Sequence, residues 1–159
     1  MIMTKTNAVR MVEAAGLPYR VASYAYDEND LNGMHAAEGI GMPPEQVFKT
    51  LVARSDKNQI FVFCIPVCGE LNLKKAASSC GAKKIDLLPL KELLPTTGYI
   101  RGGCSPIGMK KAYPTWIDET AELYDEIAVS AGARGQQLLL SPADLIQFVG
   151  MELADIADV

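Results

Sequence analysis

Two adjacent apolar segments constrain the fold of this 159-residue chain more than any other feature of its sequence. The first spans residues 49–54 and the second spans residues 59–67, and both are rich in apolar, β-branched or aromatic side chains. The stretch between them, Ser55-Asp56-Lys57-Asn58, has the polar composition of a turn. Two strand patterns joined by a short polar turn predict a β-hairpin over residues 49–67.

Shorter patterns surround this hairpin. Helical spacing of apolar residues or helix-start signals predict helices at 8–15, 35–40, 73–80 and 89–94, with a helical turn opening at Pro43-Pro44-Glu45. Strand patterns occur at 19–24, 85–87, 99–101, 115–117, 126–130 and 137–140. Short strands that do not alternate strictly with helices indicate an α+β fold. We expect one domain over residues 1–159, with a central mixed, partly closed sheet and surrounding helices.

The last helix has the clearest start signal in the chain. Ser141 can cap its first turn, Pro142 suits the first helical position, and Asp144 complements the helix dipole. Its apolar face is predicted to contain Leu145, Ile146, Val149 and Leu153.

Composition favours a cytoplasmic protein. No apolar run approaches the length of a membrane span, and the first seven residues lack the apolar core of a signal peptide. Four cysteines could form two disulfides, but without an export signal we expect reduced thiols. Cys64 and Cys68 are predicted to be small core residues. Neither the cysteine spacing nor the single histidine indicates a metal site, and we expect no cofactor.

Charge is distributed unevenly. The net charge of −4 argues mildly against nucleic acid, but residues 74–111 contain eight Lys or Arg and only two Asp or Glu. A local positive face of this kind suits a polyanion, because phosphate contacts supply much of the affinity for nucleic acid. The alternative is that these lysines are scattered over the surface or pair with the acidic C-terminal third, and charge alone leaves both interpretations open.

Two segments could carry chemistry. The run Gly102-Gly103-Cys104-Ser105-Pro106 lets the backbone approach a ligand closely, although alone it could be a simple bend. Lys49 lies where a helical turn passes into an apolar strand, so it either meets an anion or extends outward into solvent. The chain contains no phosphate-binding glycine motif, and we do not expect His35 or Cys104 to act as base or nucleophile. An enzyme built this way would work mainly by positioning and backbone hydrogen bonding.

Several motifs, taken together in this order, resemble one family. They are Val47-Phe48-Lys49-Thr50-Leu51, Gly69-Glu70-Leu71-Asn72-Leu73-Lys74-Lys75, Gly81-Ala82-Lys83-Lys84, Thr97-Gly98-Tyr99, Gly102 to Gly108 with Lys110-Lys111, Val129-Ser130-Ala131-Gly132 and Arg134-Gly135. The set resembles the YbaK-type aminoacyl-tRNA deacylases, which are related to the editing domain inserted in bacterial prolyl-tRNA synthetases. The resemblance covers nearly the whole chain, from about residue 19 to residue 150.

This resemblance implies trans-editing, the removal of a wrong amino acid from charged tRNA, most typically cysteine from the proline tRNA. The protein would be an ester hydrolase, or a lyase if the substrate thiol cyclises. The resemblance assigns catalytic roles to Lys49, Gly102 and Gly103, and substrate contacts to Tyr24, Ser105 and Pro106. The late acidic position of the family falls on Gln137, and an amide cannot act as an anion toward the amino group of the substrate.

The partner implied by the resemblance is the acceptor end of a charged tRNA, with prolyl-tRNA synthetase as a second candidate and neither DNA nor a membrane. Candidate contacts to acceptor-stem phosphates are Lys74, Lys75, Lys83, Lys84, Lys110 and Lys111. Two other hypotheses stay open: a tRNA- or nucleotide-binding module without catalysis, which the glutamine motivates, and a module that senses an amino acid. The sequence leaves the oligomeric state open.

Overall fold

The computed structural model describes residues 4–159. The helices in this range are α1 (Asn7–Ala14), α2 (Gly33–Ile40), α3 (Leu73–Ser79), α4 (Leu90–Thr97) and α5 (Pro142–Val149), with short 3-10 turns at Pro44–Gln46 and Glu119–Leu123. The strands are β1 (Arg20–Ser23), β2 (Phe48–Ser55), β3 (Ile60–Pro66), β4 (Glu70–Leu71), β5 (Ile85–Leu87), β6 (Thr115–Asp118), β7 (Ile127–Ser130), β8 (Gln136–Leu140), β9 (Glu152–Ala154) and β10 (Ala157–Asp158).

A five-stranded mixed sheet in the order β5-β2-β3-β6-β9 forms the centre of the fold. The predicted hairpin is its middle, with β2 and β3 antiparallel and Lys49 opposite Ile65. Strand β6 joins β3 in parallel, and β9 joins β6 in parallel. The α+β prediction is therefore confirmed. The side chains of Val62 to Ile65 are completely buried, because helices and the second sheet cover β3 from both faces.

A second, antiparallel sheet in the order β1-β8-β7 packs beside the first. The two sheets meet where Val47, immediately before β2, forms a parallel bridge with Ala128 of β7. Val47 also accepts a hydrogen bond from the Val67 N–H at 2.8 Å. The segment leading into Lys49 is therefore hydrogen-bonded on both sides, which fixes the position of that residue in the fold.

Three local predictions were wrong. Residues 99–101 do not form a strand but lead into a turn at residues 101–102, which is closed by a hydrogen bond from Gly103 N–H to Ile100 O at 3.0 Å. Leu153 lies in β9 rather than on the last helix, since Gly150 ends α5 in a left-handed conformation. Cys68 is exposed, while Cys64 is buried as predicted. Helix α4 also extends to Thr97 and contains Pro95, one turn beyond the predicted end.

No helix within residues 4–159 is long and apolar enough to cross a membrane.

Candidate active site

One cleft of about 500 Å³ brings several of the predicted residues together. Its walls come from β2, the start of α2, the loop that contains Gly102, and the ends of β7 and β8. The predicted residues that line it are Tyr24, Lys49, Gly102 and Gln137. This volume lies in the range of sites that enclose a small organic group.

Lys49 is a half-buried cation on the cleft wall. It follows Phe48, whose side chain is buried and holds the start of β2 in the core. Within residues 4–159, the Lys49 ammonium has neither a hydrogen bond nor an ion pair. An ammonium on a cleft wall without a protein partner is well suited to bind an anionic or hydroxyl-bearing ligand.

The glycine loop contributes Gly102 to the cleft. Gly102 has φ +84°, and a Cβ atom there would approach the Leu31 side chain to 3.1 Å, so a larger residue would be both strained and crowded. In the part of the chain that the structure describes, the N–H groups of Gly102 and Cys104 have no hydrogen-bond partner. Two residues that line the cleft therefore have peptide N–H groups free to bind a ligand.

The other predicted loop residues lie deeper. Gly103 is buried, its N–H is donated to Ile100 O, and a Cβ atom there would approach the backbone of Ala133 and Arg134 to 3.3–3.4 Å. Ser105 and Pro106 are also buried and do not line the cleft, and the Ser105 hydroxyl accepts a hydrogen bond from the Ile107 N–H at 3.2 Å. These residues hold the shape of the loop.

Gln137 forms a neutral polar wall at the cleft. It lies on β8 opposite Ser130 of β7, and its side chain is only 5% exposed. Among the described residues, its Oε1 atom is buried without a hydrogen-bond partner. Tyr24 lines the same cleft and is held by a 2.9 Å hydrogen bond from its N–H to Gly135 O. A buried amide without a partner is costly unless a ligand satisfies it.

The sequence interpretation missed other polar residues of the cleft. Arg101 and Arg134 both line it, and Arg134 Nε donates to Arg101 O at 2.9 Å. Their positions in the sequence could have indicated this, because Arg101 immediately precedes the glycine pair and Arg134 belongs to the Arg134-Gly135 motif. His35 also lines the cleft, with its Nε2 atom 2.8 Å from the Asp30 carboxylate.

The six candidate phosphate-binding lysines lie elsewhere. All are exposed, and none lines the cleft. Lys75 pairs with Asp155 at 3.0 Å, Lys84 lies 3.9 Å from Asp86, and Lys110 Nζ donates to Pro95 O at 3.4 Å. Lys75 therefore pairs with the acidic C-terminal third, as one of the two interpretations of the charge pattern predicted.

Cys104 lines the cleft but is poorly suited to nucleophilic attack. Burial raises the pKa of its thiol to about 12, and burial likewise raises the pKa of Cys64 to about 12. Since the thiolate is the reactive form, both residues are almost entirely protonated and unreactive at neutral pH.

Iodoacetamide at pH 7.5 is expected to alkylate the exposed Cys68 and to leave Cys64 and Cys104 unmodified. The rate at Cys104 should rise about tenfold for each unit of pH up to its raised pKa, because the thiolate fraction rises by that factor. Mass spectrometry of the digested protein measures labelling at each residue, and labelling in urea provides the control in which every thiol reacts. Rapid labelling of Cys104 in the folded protein at pH 7.5 would contradict its burial.

Within residues 4–159, no group of three or more histidine, cysteine or acidic side chains is arranged to hold a metal ion.

Comparison with known proteins places this chain in a family. The model of the aminoacyl-tRNA editing domain matches residues 34–148. The chain is 47% identical to "Putative Cys-tRNA(Pro)/Cys-tRNA(Cys) deacylase EbsC" of Enterococcus faecalis over 152 residues. The matched region covers 96% of this chain and 93% of that protein. It is 26% identical to the uncharacterized protein YwhH of Bacillus subtilis, over 71% of each chain.

Solved structures share the architecture. The crystal structure of "a putative trans-editing enzyme for prolyl tRNA synthetase" matches with a TM-score of 0.81 at 23% identity, over 98% of this chain and 100% of the other. That of hypothetical protein APE2540 matches with a TM-score of 0.85 at 21% identity, over 94% of this chain and 97% of the other. This chain belongs to the aminoacyl-tRNA editing domain family. Its class of activity is accordingly that of an aminoacyl-tRNA deacylase.

Proposed function

We propose that this protein acts in trans on tRNA that carries a wrong amino acid, and that cysteine on the proline tRNA is its main substrate. The observation that carries the proposal is one cleft that contains both an unpaired lysine ammonium and a glycine loop with unpaired peptide N–H groups. The name of the Enterococcus faecalis relative includes Cys-tRNA(Pro) and Cys-tRNA(Cys), which supports cysteine as the amino acid removed.

In this proposal, Lys49 holds the last phosphate or the ribose of the terminal adenosine. The N–H groups of Gly102 and Cys104 donate to the ester carbonyl oxygen as negative charge develops on it. Donors fixed in advance at such a position are an effective source of rate acceleration. Gly103 contributes by allowing the loop to lie against the backbone of Ala133 and Arg134, since its own N–H is already donated to Ile100 O.

Two nucleophiles fit this arrangement. With water, the ester is hydrolysed to the free amino acid and the tRNA hydroxyl. With the thiol of the bound cysteine, sulfur bonds to the carbonyl carbon, the ester C–O bond breaks, and the thiol proton goes to the ribose oxygen. Cleavage of alanyl-tRNA at a comparable rate would assign the reaction to water, because alanine has no thiol.

The aminoacyl group would lie against Tyr24 and Gln137, on the loop supported by Ser105 and Pro106. The amide of Gln137 can exchange hydrogen bonds with an uncharged amino group or a thiol. We also propose that the six exposed lysines contact phosphates further along the acceptor stem, and that prolyl-tRNA synthetase delivers the charged tRNA.

Replacing Lys49 by alanine is expected to reduce the rate of cysteine release from charged proline tRNA by about 30-fold, because truncating one member of a desolvated charge pair costs at least that much. The measurement is the loss of radiolabelled cysteine from the tRNA under single-turnover conditions. Lys57→Ala is the matched control, since Lys57 is exposed in the turn between β2 and β3. Its rate should equal that of the wild type.

No release by the wild type from cysteinyl- or alanyl-tRNA beyond the rate in buffer would contradict the proposed function. Tight tRNA binding with an unchanged ester half-life would instead favour the module without catalysis.

A further inference from the structure

We propose that Arg101 and Arg134, hereafter the arginine pair, form a second phosphate site at the mouth of the cleft, which binds the RNA backbone next to the terminal adenosine. This inference rests on the proposed function and deepens it. It assigns the phosphate next to the terminal adenosine to two arginines that line the cleft. The exposed lysines would then contact phosphates further along the acceptor stem.

Backbone contacts bring the two residues of the arginine pair together. The Nε atom of Arg134 donates to the backbone oxygen of Arg101 at 2.9 Å, which joins the glycine loop to the turn after β7. Gly103 lies so close to the Arg134 backbone nitrogen that a Cβ atom there would approach it to 3.3 Å. The Arg134 side chain is therefore held against the backbone of Arg101, and both residues, from separate loops, line the cleft.

Charge pairing distinguishes these arginines from two others in the chain. Arg20 and Arg54 hold the carboxylates of Glu126 and Glu92 at 2.6 and 2.5 Å. Within residues 4–159, neither member of the arginine pair has a carboxylate within ion-pair distance. Their guanidinium groups are therefore available to an anion from outside the protein.

The cleft contains little negative charge that would oppose an anion. Asp30 is the one carboxylate among its lining residues, and its oxygen lies 2.8 Å from the His35 Nε2 atom. Lys49 and the arginine pair supply the opposite sign. Arg101 is exposed whereas Gln137 is buried, so the side chains run from a neutral buried wall to a cationic mouth.

An RNA 3′ end matches this order of groups. The aminoacyl ester occupies the buried end, the terminal adenosine lies along Lys49, and the chain then leaves through the mouth with one phosphate per nucleotide. Arginine suits that phosphate because its planar fork donates two hydrogen bonds in fixed geometry.

The test uses Arg101→Gln, Arg134→Gln and the double variant in the full chain. Glutamine at position 134 keeps a donor for the Arg101 oxygen. Arg10→Gln is the matched control, because Arg10 is exposed on α1, lacks an ion pair among the described residues and does not line the cleft. The probe is a fluorescent single-stranded RNA oligonucleotide that ends in CCA, and its Kd is measured by anisotropy at several salt concentrations.

Each substitution is expected to raise Kd about fivefold, and the double variant about 25-fold. In the double variant the slope of log Kd against log salt should fall by about 0.7, as for one lost phosphate contact to a single strand. Arg10→Gln should change neither quantity. A double variant with the Kd and salt slope of Arg10→Gln would overturn the proposal.

A second measurement separates this inference from the proposed function. On charged tRNA, the double variant should raise KM at least tenfold with kcat within about twofold of the wild type. On a cysteine ester of adenosine, which lacks the outer phosphate, it should match the wild type. Equal losses on both substrates would show a structural role and overturn the inference. Failure of the wild type to cleave any charged tRNA rejects the proposed function, while the RNA-binding result still decides the arginine pair.

Discussion

Replacing Asp118 by alanine is expected to lower the free energy of unfolding by about 4 kcal/mol, since a buried carboxylate would be lost and its buried donors left unpaired. Asp118 ends β6 and is 2% exposed. Its Oδ1 accepts from the N–H groups of Ile156 and Ala157, each at 3.1 Å. Its Oδ2 accepts from the N–H and the hydroxyl of Thr120, at 3.2 and 2.7 Å. One side chain thus joins the central sheet to a 3-10 turn and to the C-terminal segment.

Urea unfolding followed by circular dichroism measures this loss. Asp118→Asn is the graded control, because it keeps one acceptor oxygen and should lose roughly half as much stability. The helix cap at Ser141 shows how much a single capping hydrogen bond contributes. Ser141→Ala should lower the free energy of unfolding by about 1 kcal/mol. An Asp118→Ala protein within 1 kcal/mol of the wild type would show that its hydrogen bonds contribute little.

The second large effect is expected at Gly135, where alanine should reduce deacylation by at least tenfold and lower stability by about 3 kcal/mol. Gly135 has φ +82°, and a Cβ atom there would lie 2.9 Å from the Tyr24 backbone oxygen and 2.8 Å from the Tyr26 ring. The backbone oxygen cannot move aside cheaply, because the Tyr24 N–H is itself bonded to Gly135 O. The alanine therefore displaces the wall of the cleft that carries Tyr24.

Gly150→Ala separates backbone strain from this displacement. Gly150 has nearly the same φ, +78°, but a Cβ atom there meets nothing within 4 Å. It should cost only about 1 kcal/mol and leave the deacylation rate unchanged. Equal rate losses in the two variants would mean that general destabilisation, and not the wall of the cleft, controls the activity.

Much of the fold could be predicted from local pattern. The hairpin followed from two apolar runs around a polar turn, and α5 followed from its serine cap and proline, because both signals act within a few residues. The strand predicted at 99–101 is absent because of a tertiary contact. The loop after Ile100 turns back on itself to reach residues 131–135, and a distant contact of this kind leaves no local signal. The prediction that Leu153 lies on the last helix was wrong because Gly150 ends that helix before residue 153.

The residues of the candidate site that belong to family motifs could be predicted from the sequence. Lys49, Gly102, Tyr24 and Gln137 were selected from separate parts of the chain, and the structure brings them to one cleft. The charge pattern was misleading about location, because the basic block of residues 74–111 supplies one cation to the cleft, Arg101. Its partner Arg134 lies in the acidic third, where counting charges gave no reason to expect a cationic site.

The bridge between Val47 and Ala128 has a consequence for selectivity. The two sheets are joined at the strand that carries Lys49, so the inner part of the cleft is framed by core residues such as Phe48 and Gln137. A frame built from core strands accepts or rejects an amino acid by its fixed size and polarity, in the way that a sieve does. Widening this frame would displace buried side chains, so the size of the group that the inner cleft admits is linked to the stability of the fold.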